Sequence, residues 1–130
     1  MSTIFTKIIN GEIPSYKIAE NNKFYAFLDI NPLAKGHTLV IPKQEIDYIF
    51  DIQDDLLSEM MIFAKKIAKA IEKSITCERI GVTVIGLEVP HAHIHLIPIN
   101  NITDMDFSKT KLSLSDEEFI EIVDSIVGNL

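Results

Sequence analysis

Apolar and polar residues change their spacing several times along this chain, and each change marks an element. The longest regular stretch covers about 54–75, where Leu56, Leu57, Met60, Met61, Ala64, Ile67, Ala68, Ile71 and Ile75 recur three or four residues apart. That spacing predicts a helix with one buried face, leaving Glu59, Lys65, Lys66, Lys69, Glu72 and Lys73 to solvent. The methionines on the stripe read as core filling, not as a binding surface. A second helix is predicted over 115–128. Ser115-Asp116-Glu117-Glu118 has capping-box spacing, Phe119, Ile120, Val123, Ile126 and Val127 supply an apolar face, and Gly128 ends it. A short helix is predicted over 4–9, capped by Ser2 or Thr3 and stopped by Asn10-Gly11.

Elsewhere the pattern shortens to strand length. Strands are predicted over 16–19 and 24–28, joined by the polar turn Glu20-Asn21-Asn22-Lys23, and over 37–41 between Gly36 and Pro42. A fourth covers 79–85, and after a turn at Gly86 a fifth lies between Pro90 and Pro98. Residues 100–111 are polar and read as a loop or arm. About five strands joined mostly by short turns, with two substantial helices, predict an α+β fold on an antiparallel sheet. With 130 residues, one domain is expected, its core over about 4–98 and an arm plus helix over 99–130.

Composition narrows the function classes. A net charge of −7 argues against a nucleic-acid-coating role, which needs a basic face. No apolar run approaches the ~20 residues of a membrane helix, so no membrane partner is expected. The amino terminus lacks the basic-then-apolar order of a secretory signal, and a lone Cys77 makes no internal disulfide. A cytoplasmic location is the expectation.

The fifth strand carries the chemistry. It reads His91-Ala92-His93-Ile94-His95-Leu96-Ile97, so alternation puts three imidazoles on one face, roughly 7 Å apart, with Ala92, Ile94 and Leu96 on the other. Three readings are open. The rings are satisfied strand residues; or a His-x-His pair with a third ligand holds zinc; or one ring is a nucleophile. A neutral imidazole attacks phosphorus or an acyl carbon, while its neighbours fix its tautomer and donate to the leaving group.

His91-Ala92-His93-Ile94-His95 followed by Leu96-Ile97-Pro98 closely resembles the signature of the histidine triad family of nucleotide-binding proteins and hydrolases. Three further blocks resemble the family in order: the segment from Ile4 to Pro14, Ala26-Phe27-Leu28-Asp29-Ile30-Asn31-Pro32, and Gly36-His37-Thr38-Leu39-Val40-Ile41-Pro42-Lys43. The resemblance implies a two-fold dimer. It also implies cleavage of a nucleoside monophosphate derivative, usually of adenosine, at the α-phosphorus, with no cofactor and no catalytic metal. His93 would form the covalent nucleotidyl intermediate, His95 would contact the phosphate and departing atom, His91 would orient the site, and His37 would stand behind them. Asp29 would accept bonds from the ribose hydroxyls, and Phe5, Ile8, Phe27 and Ile30 would enclose the base. The partner implied is thus a purine nucleotide or nucleotide conjugate.

The chain departs from the family pattern in three places. Gly81–Pro90 is short, lacks the usual asparagine and has Leu87 where a polar residue is common. Amides near Glu88 and Val89 are left to hold the phosphate, with Thr83 as a candidate donor and the Glu88 carboxylate turned away. The positions that form a structural zinc site in many members read Thr3, Thr6 and Gln44-Glu45, which are poor zinc ligands, so none is expected. There is no tryptophan, and the final helix is an addition. A nucleotide-binding module with little or no catalysis is the alternative function.

Overall fold

A computed structural model describes residues 2–130. Five strands form one antiparallel sheet in the order β1-β2-β3-β5-β4. They are β1 (Lys17–Glu20), β2 (Phe24–Leu28), β3 (Thr38–Pro42), β4 (Arg79–Thr83) and β5 (Ile94–Ile99). The helices are α1 (Ile4–Ile9), α2 (Asp54–Ser74) and α3 (Asp116–Val127). Hairpins β1-β2 and β4-β5 are local, whereas β5 reaches β3 only after the chain has crossed the sheet through α2.

Both faces of the sheet are covered, and this explains why β2 and β3 are buried at every position. On one face α2 and α3 pack Met60, Ile67, Ile71, Phe119 and Ile126 against Phe24, Ala26, Val40, Ile94 and Leu96. On the other, α1 lays Phe5 and Ile8 over Tyr25, Phe27, Leu39 and Ile41. The histidines lie on this second face.

Most predicted elements form, with local differences. Thr3, not Ser2, caps α1, its hydroxyl accepting from the Thr6 amide at 3.1 Å. Ser115 and Glu118 make the expected capping box on α3. The buried stripe of α3 is Phe119, Ile122 and Ile126, while Ile120 and Val127 are exposed. The third strand starts at Thr38 because His37 still belongs to the turn, its amide bonded to the Ala34 carbonyl. Gly36 sits in that turn at φ +93°, and a Cβ there would meet Ile75 at 3.0 Å. Both constraints make it a glycine position.

The predicted strands 79–85 and 90–98 are both shorter in the structure. β4 ends at Thr83, and β5 starts only at Ile94. Ahead of Ile94 the backbone leaves the sheet, the His91 amide bonding back to Val89 and the Ala92 amide to Ile46. His91 and His93 therefore lie in an unpaired lead-in. Alternation survives the loss of pairing, since Ala92, Ile94 and Leu96 all enter the α2 core. No helix among the described residues is long and apolar enough to cross a membrane.

Candidate functional site

The two departures from the sheet open a space between 84–88 and the triad. It forms a pocket of about 260 Å³ lined by Asp29, Asn31, Ile85, Gly86, Leu87, Glu88, His93, His95, Phe107 and Lys111. All four histidines are buried, and two of them, His93 and His95, line it, while His37 and His91 do not.

Hydrogen bonding fixes the proton on each ring. The Leu33 amide donates to His37 Nδ1 at 3.0 Å, so that nitrogen is an acceptor and the neutral ring carries its proton on Nε2. His37 Nε2–H then donates to His95 Nδ1 at 3.0 Å, which leaves the proton of His95 on Nε2. His93 Nδ1 lies 2.8 Å from the His91 carbonyl, an acceptor, so Nδ1 carries a proton and the neutral form of the ring has its lone pair on Nε2. His91 donates from Nε2 to the Pro42 carbonyl at 2.7 Å and accepts at Nδ1 from the Thr3 hydroxyl at 2.8 Å. Of eight ring nitrogens, two are left without a partner: a bare lone pair on His93 and an N–H on His95.

Burial keeps His37, His91 and His95 neutral. Burial lowers the His37 pKa to about 3, helped by His95, and that of His95 to about 4, helped by His93. Burial also lowers His91. Asp29 Oδ2 is 3.6 Å from His37 Nε2, an ion-pair spacing, but the neutral ring already gives that proton to His95. The other carboxylate oxygen of Asp29 accepts from the Asn31 amide at 2.8 Å, and burial raises this acid. Its Oδ2 keeps free acceptor capacity.

These shifts predict an acid-sensitive fold. Between about pH 4 and 6.5 the unfolded chain protonates histidines that the folded chain keeps neutral, so stability rises with pH through that window and levels off above it. The raised Asp29 acts in the opposite sense. Denaturant unfolding at pH 5 is expected to give on the order of 2–4 kcal/mol less stability than at pH 7. Equal stability at the two values would contradict neutral buried rings.

The structure distributes the other sequence candidates unevenly. Phe5 lies edge-on to His91 and His93, with ring centroids 5.7 and 5.0 Å away, and also meets Phe27 at 5.6 Å. Ile8 and Val89 belong to the same cluster but do not line the pocket. Ile30 is exposed and stands outside the lining. Thr83 faces His95 across the β4–β5 pair, also outside it. Glu88 is in the pocket wall, close enough to Asp29 for their charges to repel, instead of turned clear of it. Two lining residues lie in the arm that the sequence showed only as polar: Phe107, edge-on to His95 at 4.9 Å, and Lys111. The one signal for them was an aromatic and a cation in an otherwise featureless stretch.

Metal chemistry fits neither of two candidate places. Asp29, His37 and His95 bring ligand atoms within 4.8 Å of one another. A cation there would need the lone pairs of His37 Nε2 and His95 Nδ1, which already share one proton. Where many family members have zinc ligands, Thr3, Thr6, Glu45 and His91 bond to one another instead. Glu45 accepts from the Thr3 amide at 2.7 Å and from the Thr6 hydroxyl at 2.8 Å, while Thr3 serves His91. Hydroxyls are poor zinc ligands, and of the two residues of ligand type, Glu45 and His91, the second has both ring nitrogens bonded, so the set does not fit zinc.

The HIT domain profile matches residues 10–102. An uncharacterised HIT-like protein of Borreliella burgdorferi is 38% identical over 135 residues, spanning 98% of this chain and 97% of that protein. The adenosine 5'-monophosphoramidase of Saccharomyces cerevisiae is 45% identical over 96 residues, covering 73% of this chain and 61% of the yeast protein. Among solved structures, a Hit-like protein from Bartonella henselae superposes with a TM-score of 0.86 at 32% identity, over 99% of this chain and 96% of that one. On the triad, its tautomers and these likenesses, the chain belongs to the histidine triad family.

Proposed function

We propose that the protein hydrolyses a nucleoside 5'-monophosphate derivative, an AMP phosphoramidate being the substrate of choice, through a covalent nucleotide on His93. The observation that carries this is the single uncommitted lone pair among four buried imidazoles, at His93 Nε2. The Nε2–phosphorus bond forms as the phosphorus–nitrogen bond breaks, the departing nitrogen takes the His95 Nε2 proton and leaves as neutral amine, and water then displaces the imidazole to give the nucleoside monophosphate and returns a proton to His95. His95 Nε2–H is placed to donate to the phosphoryl group, and no metal is required when fixed donors hold that charge. Asp29 takes the ribose hydroxyls on its free Oδ2. The yeast relative, named for adenosine 5'-monophosphoramidase activity, supports the choice of substrate.

Brief exposure to AMP phosphoramidate followed by acid quench and peptide mass spectrometry tests the proposal. A nucleotide mass on His93 is expected. Tight AMP binding with no turnover and no adduct would favour the binding-module alternative.

The active form in this proposal is a two-fold dimer. β4 is an unpaired sheet edge, and beside it Met61, Ile62, Ala64, Ala68, Ile80, Val82 and Leu96 line an apolar groove between α2 and the sheet. Ile62 and Val82 are 65% and 51% exposed, which favours a second copy pairing there. Sedimentation of the wild type is expected to give a dimer, and Val82→Lys a monomer at the same concentration. A monomeric wild type would overturn this part.

A further inference from the structure

The loop before the triad offers the phosphate few side-chain donors, since Ile85, Gly86 and Leu87 form that wall. The pocket's other charges, at Asp29 and Glu88, are anionic and oppose an incoming phosphate. Lys111 is the one lysine or arginine among the lining residues, and it comes from the arm on the opposite side. Its ammonium donates to the carbonyls of Phe107 and Lys109, the latter at 3.1 Å. An ammonium has three N–H donors, so one remains.

The arm holds this group in place. The Leu112 amide bonds to the Pro32 carbonyl at 2.8 Å, tying residue 112 to the turn that carries Asp29 and Asn31. At its other end Phe107 packs edge-on against both His95 and His37, with centroids 4.9 and 6.1 Å away. The lysine thus lines the same pocket as His93 and His95 on a short tether fixed at both ends. Its field is felt at Asp29 and at His37.

We propose that Lys111 is a phosphate-binding residue of this site, giving its remaining N–H to a non-bridging oxygen of the substrate's α-phosphate opposite His95. It takes the place of the polar side chain that Gly81–Pro90 lacks. The proposal rests on the pocket's being a nucleotide site, as argued above. Its ligand class is a nucleoside carrying an anionic 5'-phosphoryl group, discriminated from the bare nucleoside by this cation.

The test compares calorimetric affinities for AMP and adenosine in the wild type and in Lys111→Met, with Lys111→Gln in parallel. Methionine keeps the aliphatic stem and removes the charge. A charge-assisted hydrogen bond to phosphate predicts that AMP affinity falls at least about fivefold in both variants. Adenosine affinity should stay within about twofold, which also shows that the arm and pocket are intact. A smaller loss for AMP, or an equal loss for both ligands, would overturn the assignment and leave Lys111 as a clasp for its own arm. A wild type that binds AMP no better than adenosine would instead remove the nucleotide-site reading, and Lys111 with it.

Discussion

Alanine at position 93 is expected to lower turnover of AMP phosphoramidate by at least about 10⁴-fold, as loss of an attacking group does in other two-step enzymes. No other ring can replace it. His37 and His91 have both nitrogens committed, and the free position on His95 carries a proton. The fold should survive. The substitution frees the His91 carbonyl from one bond and removes a ring from the edge of Phe5, together costing about 1–3 kcal/mol. AMP affinity should change little, because the proposed ribose and phosphate contacts are assigned to other residues. Steady-state assays with a thermal melt and AMP titration decide the matter. A folded variant retaining more than about one hundredth of the activity would show that His93 is not the nucleophile.

His37→Phe comes second, with an expected fall in kcat of about 10²–10³ and little change in KM. The ring at 37 never reaches the pocket lining. In the proposed reaction it acts through His95, holding that ring's proton on Nε2, the nitrogen without a protein partner. Phenylalanine fills the space but gives no proton to His95 Nδ1, and the proton is then free to sit on either nitrogen. Nitrogen NMR should show a single Nε2–H tautomer for His95 in the wild type and a mixture in the variant. Unchanged tautomer and unchanged kcat together would show that the His37–His95 bond is dispensable.

Much of the architecture was written in local patterns. The α2 helix and the Ser115 cap are each decided by residues within one or two turns of themselves and form where their spacing predicts, although Met61 of the expected stripe is 46% exposed while Phe63 and Ala70 are buried in its place. The limits of the strands were not legible. Residues 84 and 85 have strand-like side chains, yet β4 ends at Thr83, and the chain before Ile94 bonds to Ile46 instead. Those partners are distant in sequence, and no periodicity reports them. The triad's shared face followed from alternation alone, whereas the proton on each ring depended on Leu33, Pro42 and Thr3. Phe107 and Lys111 were invisible for the same reason: an arm with no repeat of its own gains meaning only where it lands.

The cluster of Thr3, Thr6, Glu45 and His91 has one more consequence. It joins the amino-terminal helix to the first ring of the triad through oxygen and nitrogen groups alone. A clasp made of thiolates around an ion comes undone under chelation or peroxide; this one offers neither reagent a target. The joint between the amino-terminal helix and His91 therefore holds no thiolate or ion whose loss could release it.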